Sequence, residues 1–163
     1  MYFIKKIILF LSILFLTGCS NYEYKEKYDN SIIIEKININ LNYSISSIKD
    51  EVDYLVMFKE YGRPNIEKTN TIIGGHSGIG PKALFNNLSK LDIDDIIKLY
   101  YNDKLYTYKV IETKEVKETD LSVLNNTDKT ILTLLTCKMY NSSMRIVVIS
   151  ELIANWLMTK CHI

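Results

Sequence analysis

Cys137 is the side chain in this sequence best placed to act as a nucleophile. It follows the apolar run Thr133-Leu134-Leu135-Thr136 and precedes a polar segment, residues 138–143, so the thiol is expected to be partly exposed at a strand end. Arg145 begins the next predicted strand, and a hairpin would return it to Cys137. A neighbouring guanidinium favours the thiolate, which is the nucleophilic form. The alternatives are a cysteine that packs as a small core residue and an arginine that is an ordinary strand-end charge.

His76 is the second candidate, because it lies within the densest glycine cluster of the chain, residues 74–80. Two known motifs fail at this place. A nucleophile elbow requires glycine where Ile79 stands, and a phosphate-binding loop requires lysine where Pro81 stands. What remains is a strand that ends in glycines with a histidine at its tip, where backbone and substrate can approach closely. The alternative is an ordinary surface or core histidine.

Composition limits the chemistry that is available. The chain has 163 residues, 20 basic and 19 acidic side chains, 47% hydrophobic residues, three cysteines and two histidines. This length predicts one domain with a sizeable core, and the apolar fraction excludes a disordered or low-complexity chain. The net charge of +1 argues against a general nucleic-acid-binding protein. Three cysteines are too few for a disulfide scaffold, and two histidines exclude a histidine-rich metal site.

Residues 1–18 have the pattern of a secretory signal, with two lysines followed by an apolar run of about ten residues. This run is shorter than the roughly 20 residues that span a bilayer. Leu16-Thr17-Gly18-Cys19 resembles the bacterial lipobox, which implies that the thiol of Cys19 is diacylated and that the chain is cut just before it. The alternative is an uncleaved signal anchor. In both cases the folded part is expected at the extracytoplasmic face of the cytoplasmic membrane, tethered at its amino terminus.

The elements that position these residues are mostly strands. Residues 19–30 are predicted to form a polar stalk, and residues 31–163 a β-rich domain with an Asn102-Asp103 hairpin turn. Two short helices are predicted over residues 48–61 and 82–91. Short strands with a turn every ten or so residues predict a barrel or a sandwich. The predicted strands cover residues 32–41, 66–73, 96–101, 105–116, 130–136 and 145–152.

Three segments together resemble the sortase family. Thr133-Leu134-Leu135-Thr136-Cys137 resembles the TLxTC signature, and Arg145-Ile146-Val147-Val148 resembles the arginine-bearing strand that follows it. Ile73-Gly74-Gly75-His76 resembles the family segment that ends in Gly-His. The segments come in the family's order behind an export signal, and the resemblance covers roughly residues 31–152.

The resemblance implies an all-β fold with short helices, a closed sortase-type β-barrel of about eight strands. It implies a cysteine transpeptidase that cleaves an LPxTG-like sorting signal of surface proteins after threonine. Cys137 would form the thioester, His76 would act as acid and base, and Arg145 would bind the oxyanion or the substrate backbone. The acceptor would be an amine of the cell-wall cross-bridge or a pilin lysine. Substrate-binding roles are implied for Gly75, Ser77 and Thr136.

Some features leave alternatives open. Ser77 stands where many sortases have an arginine or a similar residue, which leaves the substrate preference and the class open. The short loop between Cys137 and Arg145 and the compact chain resemble class D or a compact class A more than class B. No cofactor is expected. Calcium modulation is undecided: the acidic residues Asp92, Asp94, Asp95 and Glu112 are available, but a solvated face is the favoured interpretation of them. The alternative function belongs to a different class, that of a non-catalytic surface-binding lipoprotein on a β-barrel scaffold.

Cys161 and His162, near the carboxyl end, are expected to belong to a frayed tail. The alternatives are half of a metal site and a disulfide between Cys137 and Cys161 that would silence the nucleophile.

Overall fold

The computed structural model of the protein describes residues 30–50 and 54–157, and these residues form a barrel of eight strands. The predictions for residues 1–18, Cys19, most of the stalk, Cys161 and His162 lie outside the described residues. Within the described ranges, no helix is long and apolar enough to cross a membrane. The strands are β1 (Ser31–Ile34), β2 (Ile39–Ser46), β3 (Leu55–Phe58), β4 (Asn70–Gly74), β5 (Ile96–Tyr101), β6 (Lys104–Lys117), β7 (Ile131–Lys138) and β8 (Asn141–Leu157).

The strand order around the barrel is β1-β2-β3-β4-β7-β8-β6-β5, and β5 pairs with β1 to close it. Two pairs are parallel, β2 with β3 and β4 with β7, and the others are antiparallel. The closed barrel of about eight strands is therefore confirmed. Because β4 and β7 are parallel, their carboxyl ends lie side by side at one end of the barrel.

The prediction of a helix over residues 48–61 is wrong, because Leu55–Phe58 is a strand between β2 and β4. All four of its side chains are buried, two in the interior and two in a smaller cluster on the outer face. A strand that is buried on both faces has a continuous apolar run, and this pattern does not distinguish it from a helix.

The segment predicted as a helix over residues 82–91 is a series of turns with one turn of 3₁₀ helix, Leu88–Lys90. Its buried residues are Phe85, Leu88 and Leu91, which are spaced by three. That spacing suits a 3₁₀ turn, in which residues three apart lie one above the other.

The predicted strand 32–41 is interrupted by a 3₁₀ turn, Glu35–Ile37, and by Asn38 in the left-handed region with φ of 56°. Asparagine tolerates this conformation better than most residues, so it can end the turn and start β2. The Asn102-Asp103 turn is confirmed, and both residues have positive φ, as a type I′ hairpin requires. Strand β8 extends further than predicted at both ends.

The interior of the barrel is filled by apolar side chains from all eight strands together with Phe85, Leu88 and Leu91. A closed barrel of this size holds side chains and leaves no central channel. The chemistry must therefore take place outside the barrel wall, on its outer face or at its ends. The smaller cluster lies on the outer face, where Val56, Phe58 and Ile72 pack with Tyr61, Leu124 and Leu135.

Candidate active site

Three strand ends bring the candidate residues to one end of the barrel. Strand β4 ends at Gly74, which lies opposite Leu135 of β7 in the parallel ladder. His76 follows two residues later and Cys137 lies two residues beyond Leu135, so both leave the ladder in the same direction. Strand β8 then places Arg145 directly opposite Cys137. The sequence-predicted hairpin between Cys137 and Arg145 is confirmed.

Cys137 has a free thiol and is half-buried, as the sequence predicts. Along β7, Leu132 and Leu134 lie in the barrel interior and Thr136 is buried, whereas Leu135 and Cys137, on the other face at this end of the strand, are half-buried. The β7–β8 register shifts between Cys137 and Lys138. Irregular pairing of this kind is frequent beside active sites, where it changes the direction of a side chain.

The guanidinium of Arg145 is held by three acceptors. Its Nη1 donates to the main-chain carbonyls of Ser142 and Met144, and its Nη2 donates to a carboxylate oxygen of Glu118 at 3.0 Å. Glu118 follows β6, on the opposite side of β8 from Cys137. Sequence reasoning missed this ion pair, because its partners lie on elements whose adjacency only the barrel topology reveals.

Beyond the last paired residues of β4 and β7, one main-chain and two side-chain hydrogen bonds connect the two chain segments. The N–H of Gly75 donates to the carbonyl of Leu135 at 3.2 Å, and the hydroxyl of Thr136 donates to the carbonyl of Gly75 at 2.8 Å. The hydroxyl of Ser77 donates to the carbonyl of Cys137. These bonds hold the backbone on both sides of the exposed His76 against the strand that carries the thiol.

The three predicted substrate-binding residues therefore have a structural role at this site. Ser77 and Thr136 donate their hydroxyls to main-chain carbonyls, and Thr136 is buried. Gly75 packs against Leu55 and Phe85. Contact between these three residues and a substrate stays a prediction.

Replacing Gly75 with alanine is expected to destabilise the protein. A Cβ at this position would lie 2.6 Å from Cδ2 of Leu55 and 2.9 Å from the ring of Phe85, and both neighbours are buried. Overpacking of this kind costs about 1–3 kcal/mol. Urea unfolding measures the loss of stability. An unchanged midpoint would show that the core accommodates the added methyl group without loss of stability.

The acidic residues considered for calcium all lie beside lysines. The ammonium group of Lys36 binds Asp92 at 2.6 Å and Asp95 at 2.8 Å, and these hydrogen bonds raise the pKa of Lys36. Asp94 pairs with Lys109 and Glu112 pairs with Lys114. Among the described residues, no three histidines, cysteines or acids are grouped so that they could hold a metal ion.

A cavity of about 360 Å³ lies at the other end of the barrel, next to the first residues of β4 and β7. Its lining includes Lys68, Lys104, Thr130 and Glu151 but none of the three candidate catalytic residues. It is therefore separate from the candidate active site.

Comparison with known proteins identifies the family. Residues 32–153 match the Sortase domain family. The chain belongs to the sortase family. Sortase A of Listeria monocytogenes is 28% identical over 159 residues, which cover 89% of this sortase and 65% of that protein. This sortase thus spans slightly less than two thirds of the length of that relative.

Solved structures agree with the fold of this sortase. The crystal structure of L. monocytogenes sortase A is 27% identical with a TM-score of 0.71, and the match covers 83% of this chain and 93% of that chain. Sortase C1 of Streptococcus agalactiae is 28% identical with a TM-score of 0.70, covering 80% and 69%. A sortase D5 transpeptidase of Clostridium perfringens is 28% identical with a TM-score of 0.67, covering 79% and 84%.

Proposed function

We propose that this sortase is a cysteine transpeptidase, with Cys137 as nucleophile, His76 as acid and base, and Arg145 as the oxyanion donor. The observation that carries the proposal is the meeting of three strand ends. Arg145 lies directly opposite Cys137, and the residue after His76 donates a hydrogen bond to the carbonyl of Cys137. A nucleophile, a base and a cationic donor at one strand end suit acyl transfer.

In the first step the thiolate of Cys137 attacks the threonine carbonyl of an LPxTG-like peptide. A bond forms between Sγ and the carbonyl carbon, and the carbonyl electrons move to oxygen. Arg145 donates to this oxyanion. Of its five N–H groups, three bond Ser142, Met144 and Glu118, which leaves Nε–H and one Nη2–H for the substrate.

The ion pair between Arg145 and Glu118 does not prevent this role. Both side chains are partly exposed, 26% and 48%, so the pair contributes at most about 1 kcal/mol. The contact between Nη2 and Glu118 therefore costs little to break when a developing oxyanion competes for this nitrogen.

In the second step the tetrahedral intermediate collapses. The bond between the threonine carbonyl carbon and the next amide nitrogen breaks, and His76 gives its proton to the departing amine. The product on the enzyme is a thioester with Cys137. In the third step an amine attacks the thioester, His76 takes up its proton, and a new amide forms as the thiolate leaves. Water in place of the amine gives slow hydrolysis.

The proposed substrates are surface proteins with an LPxTG-like sorting signal, and the proposed acceptors are a cell-wall cross-bridge amine or a pilin lysine. Relatives named sortase A and sortase D5 transpeptidase support this reaction class. The proposed location is the extracytoplasmic face of the cytoplasmic membrane, with the amino-terminal segment as the tether.

A peptide screen tests the proposed reaction. The full chain in mild detergent is incubated with LPxTG-like peptides and with either triglycine or a lysine peptide as acceptor. We expect a product whose mass equals the acyl fragment joined to the acceptor, and Cys137→Ala serves as the control. Failure of every peptide to give this product would contradict the proposal.

The tether is tested separately by mass spectrometry of the protein from membranes. A diacylated amino-terminal Cys19 supports the lipid anchor, whereas an intact residue 1–18 segment supports the uncleaved anchor. A mature soluble chain that begins after residue 19 without lipid would contradict both.

A further inference from the structure

The loop that carries His76 contains two glycines whose backbone conformation favours glycine. Gly78 and Gly80 have φ of +134° and +116°, and no heavy atom lies within 4 Å of the place where either would carry a Cβ. Glycine backbone has more conformational freedom than any other residue, and the ladder between β4 and β7 ends at Gly74. Contacts outside the ladder must therefore fix where His76 lies.

Asn86 supplies such a contact from the turn over residues 82–91, outside the ladder between β4 and β7. Its Oδ1 accepts from the N–H of Gly78 at 2.7 Å, and its Nδ2 donates to the carbonyl of Gly78 at 3.0 Å. One side-chain amide thus satisfies both main-chain groups of Gly78, as a neighbouring strand would.

Asn86 is itself held in place by its neighbours. Phe85 and Leu88 are 1% and 0% exposed and pack in the interior of the barrel. The N–H of Phe85 also donates to the carbonyl of His76 at 3.0 Å. The turn that carries Asn86 is therefore a rigid support for the loop.

Three consecutive residues of the loop are bonded to different partners. The carbonyl of His76 accepts a hydrogen bond from the N–H of Phe85, and the hydroxyl of Ser77 donates one to the carbonyl of Cys137. Both main-chain groups of Gly78 are hydrogen-bonded to the side chain of Asn86. Asn86 and Ser77 thus connect the loop to two different elements, the turn over residues 82–91 and strand β7. Loss of Asn86 removes the hydrogen bonds at Gly78, while those of Phe85 and Ser77 are retained.

We propose that Asn86 is a positioning residue for His76, which acts through Gly78 to keep the imidazole in reach of Cys137 and the departing amine. The inference rests on the proposed function, in which His76 exchanges protons with substrate and acceptor. Displacement of a catalytic group by about 1 Å costs on the order of 10²-fold in rate. A loop that loses Asn86 but retains the hydrogen bonds of Phe85 and Ser77 is expected to lose less.

Asn86→Ala removes both hydrogen bonds to Gly78. We expect kcat for peptide transfer to fall about tenfold while KM stays within twofold, because the two hydrogen bonds lost position the loop of the proposed acid and base. Asn86→Asp retains the acceptor for the N–H but places a carboxylate against the carbonyl, and is expected not to restore kcat. Asn87→Ala is the matched control, since Asn87 is also exposed and makes no capping hydrogen bond to the turn.

A second readout does not depend on turnover. The rate at which iodoacetamide alkylates Cys137, followed by mass spectrometry of its peptide against pH, reports the interaction between the thiol and His76. We expect the profile of Asn86→Ala to move toward that of His76→Ala, with Asn87→Ala matching the wild type. Thermal unfolding checks that Asn86→Ala is folded.

The two readouts distinguish failure of the proposed transpeptidase activity from failure of the proposed role of Asn86. If the wild type transfers no peptide, the proposed transpeptidase activity fails, and the alkylation profile still decides the role of Asn86. The role of Asn86 is overturned if folded Asn86→Ala matches the wild type in alkylation. It is also overturned if Asn86→Ala and Asn87→Ala lose activity equally.

Discussion

Cys137→Ala abolishes cleavage and transfer of a sorting peptide, with a fall in kcat/KM on the order of 10⁴-fold or more. The thioester requires a sulfur at this position, and alanine removes the attacking atom altogether. Cys137 is only half-buried, so alanine leaves no cavity in the core and the variant is expected to fold. Peptide turnover measured by liquid chromatography, together with thermal unfolding, checks both parts.

Cys161→Ala is the matched control for this prediction, since it removes the other thiol of the domain. We expect it to retain wild-type turnover. Activity that survives in Cys137→Ala, or that is lost in Cys161→Ala alone, would show that the nucleophile has been assigned to the wrong cysteine.

Arg145→Ala lowers kcat by about 10²–10³-fold, the usual cost of losing an oxyanion donor. Arg145→Lys is expected to recover only part of this loss, because an ammonium group lacks the planar fork that can bond Glu118 and substrate together. Steady-state kinetics with a sorting peptide distinguish the two proposed roles of the guanidinium. A fall in kcat indicates oxyanion stabilisation, and a rise in KM alone indicates binding of the substrate backbone.

Arg63→Ala is the control for general loss of an arginine. Arg63 donates to the carbonyls of Phe58, Tyr61 and Gly62 and lies after β3, away from the end that carries Cys137. Its removal is expected to affect stability and not the turnover of folded enzyme. Equal losses of kcat in Arg63→Ala and Arg145→Ala would contradict a chemical role for Arg145.

The parts of the fold that local sequence determines could be predicted. The β7–β8 hairpin follows from two β-branched, apolar runs around a polar segment, and it is this hairpin that pairs Cys137 with Arg145. The turn at Asn102-Asp103 follows from the residues that tolerate positive φ. Strand β3 could not be predicted, because burial on both faces removes the alternation that marks a strand.

The contacts that hold the site together could not be predicted from the sequence. Glu118 meets Arg145 only because β6 and β8 are neighbours in the barrel, and Asn86 meets Gly78 only because the turn that carries Asn86 is anchored in the core. Asparagine and glutamate are common surface residues, so neither carries a signal in the sequence. Ser77 and Thr136 were found by their position beside His76 and Cys137, but their bonds to main-chain carbonyls depend on the parallel pairing of β4 and β7.

The central claim is that acyl transfer passes through a thioester on Cys137, and the intact mass of the protein tests it most directly. The chain is mixed with an LPxTG-like peptide without an acceptor and acidified within seconds. We predict a mass increase equal to the fragment that ends at threonine, located on the Cys137 peptide and released by hydroxylamine. Cys137→Ala shows no such increase. Turnover without any adduct in the wild type, or an adduct of the same mass in Cys137→Ala, would contradict the account.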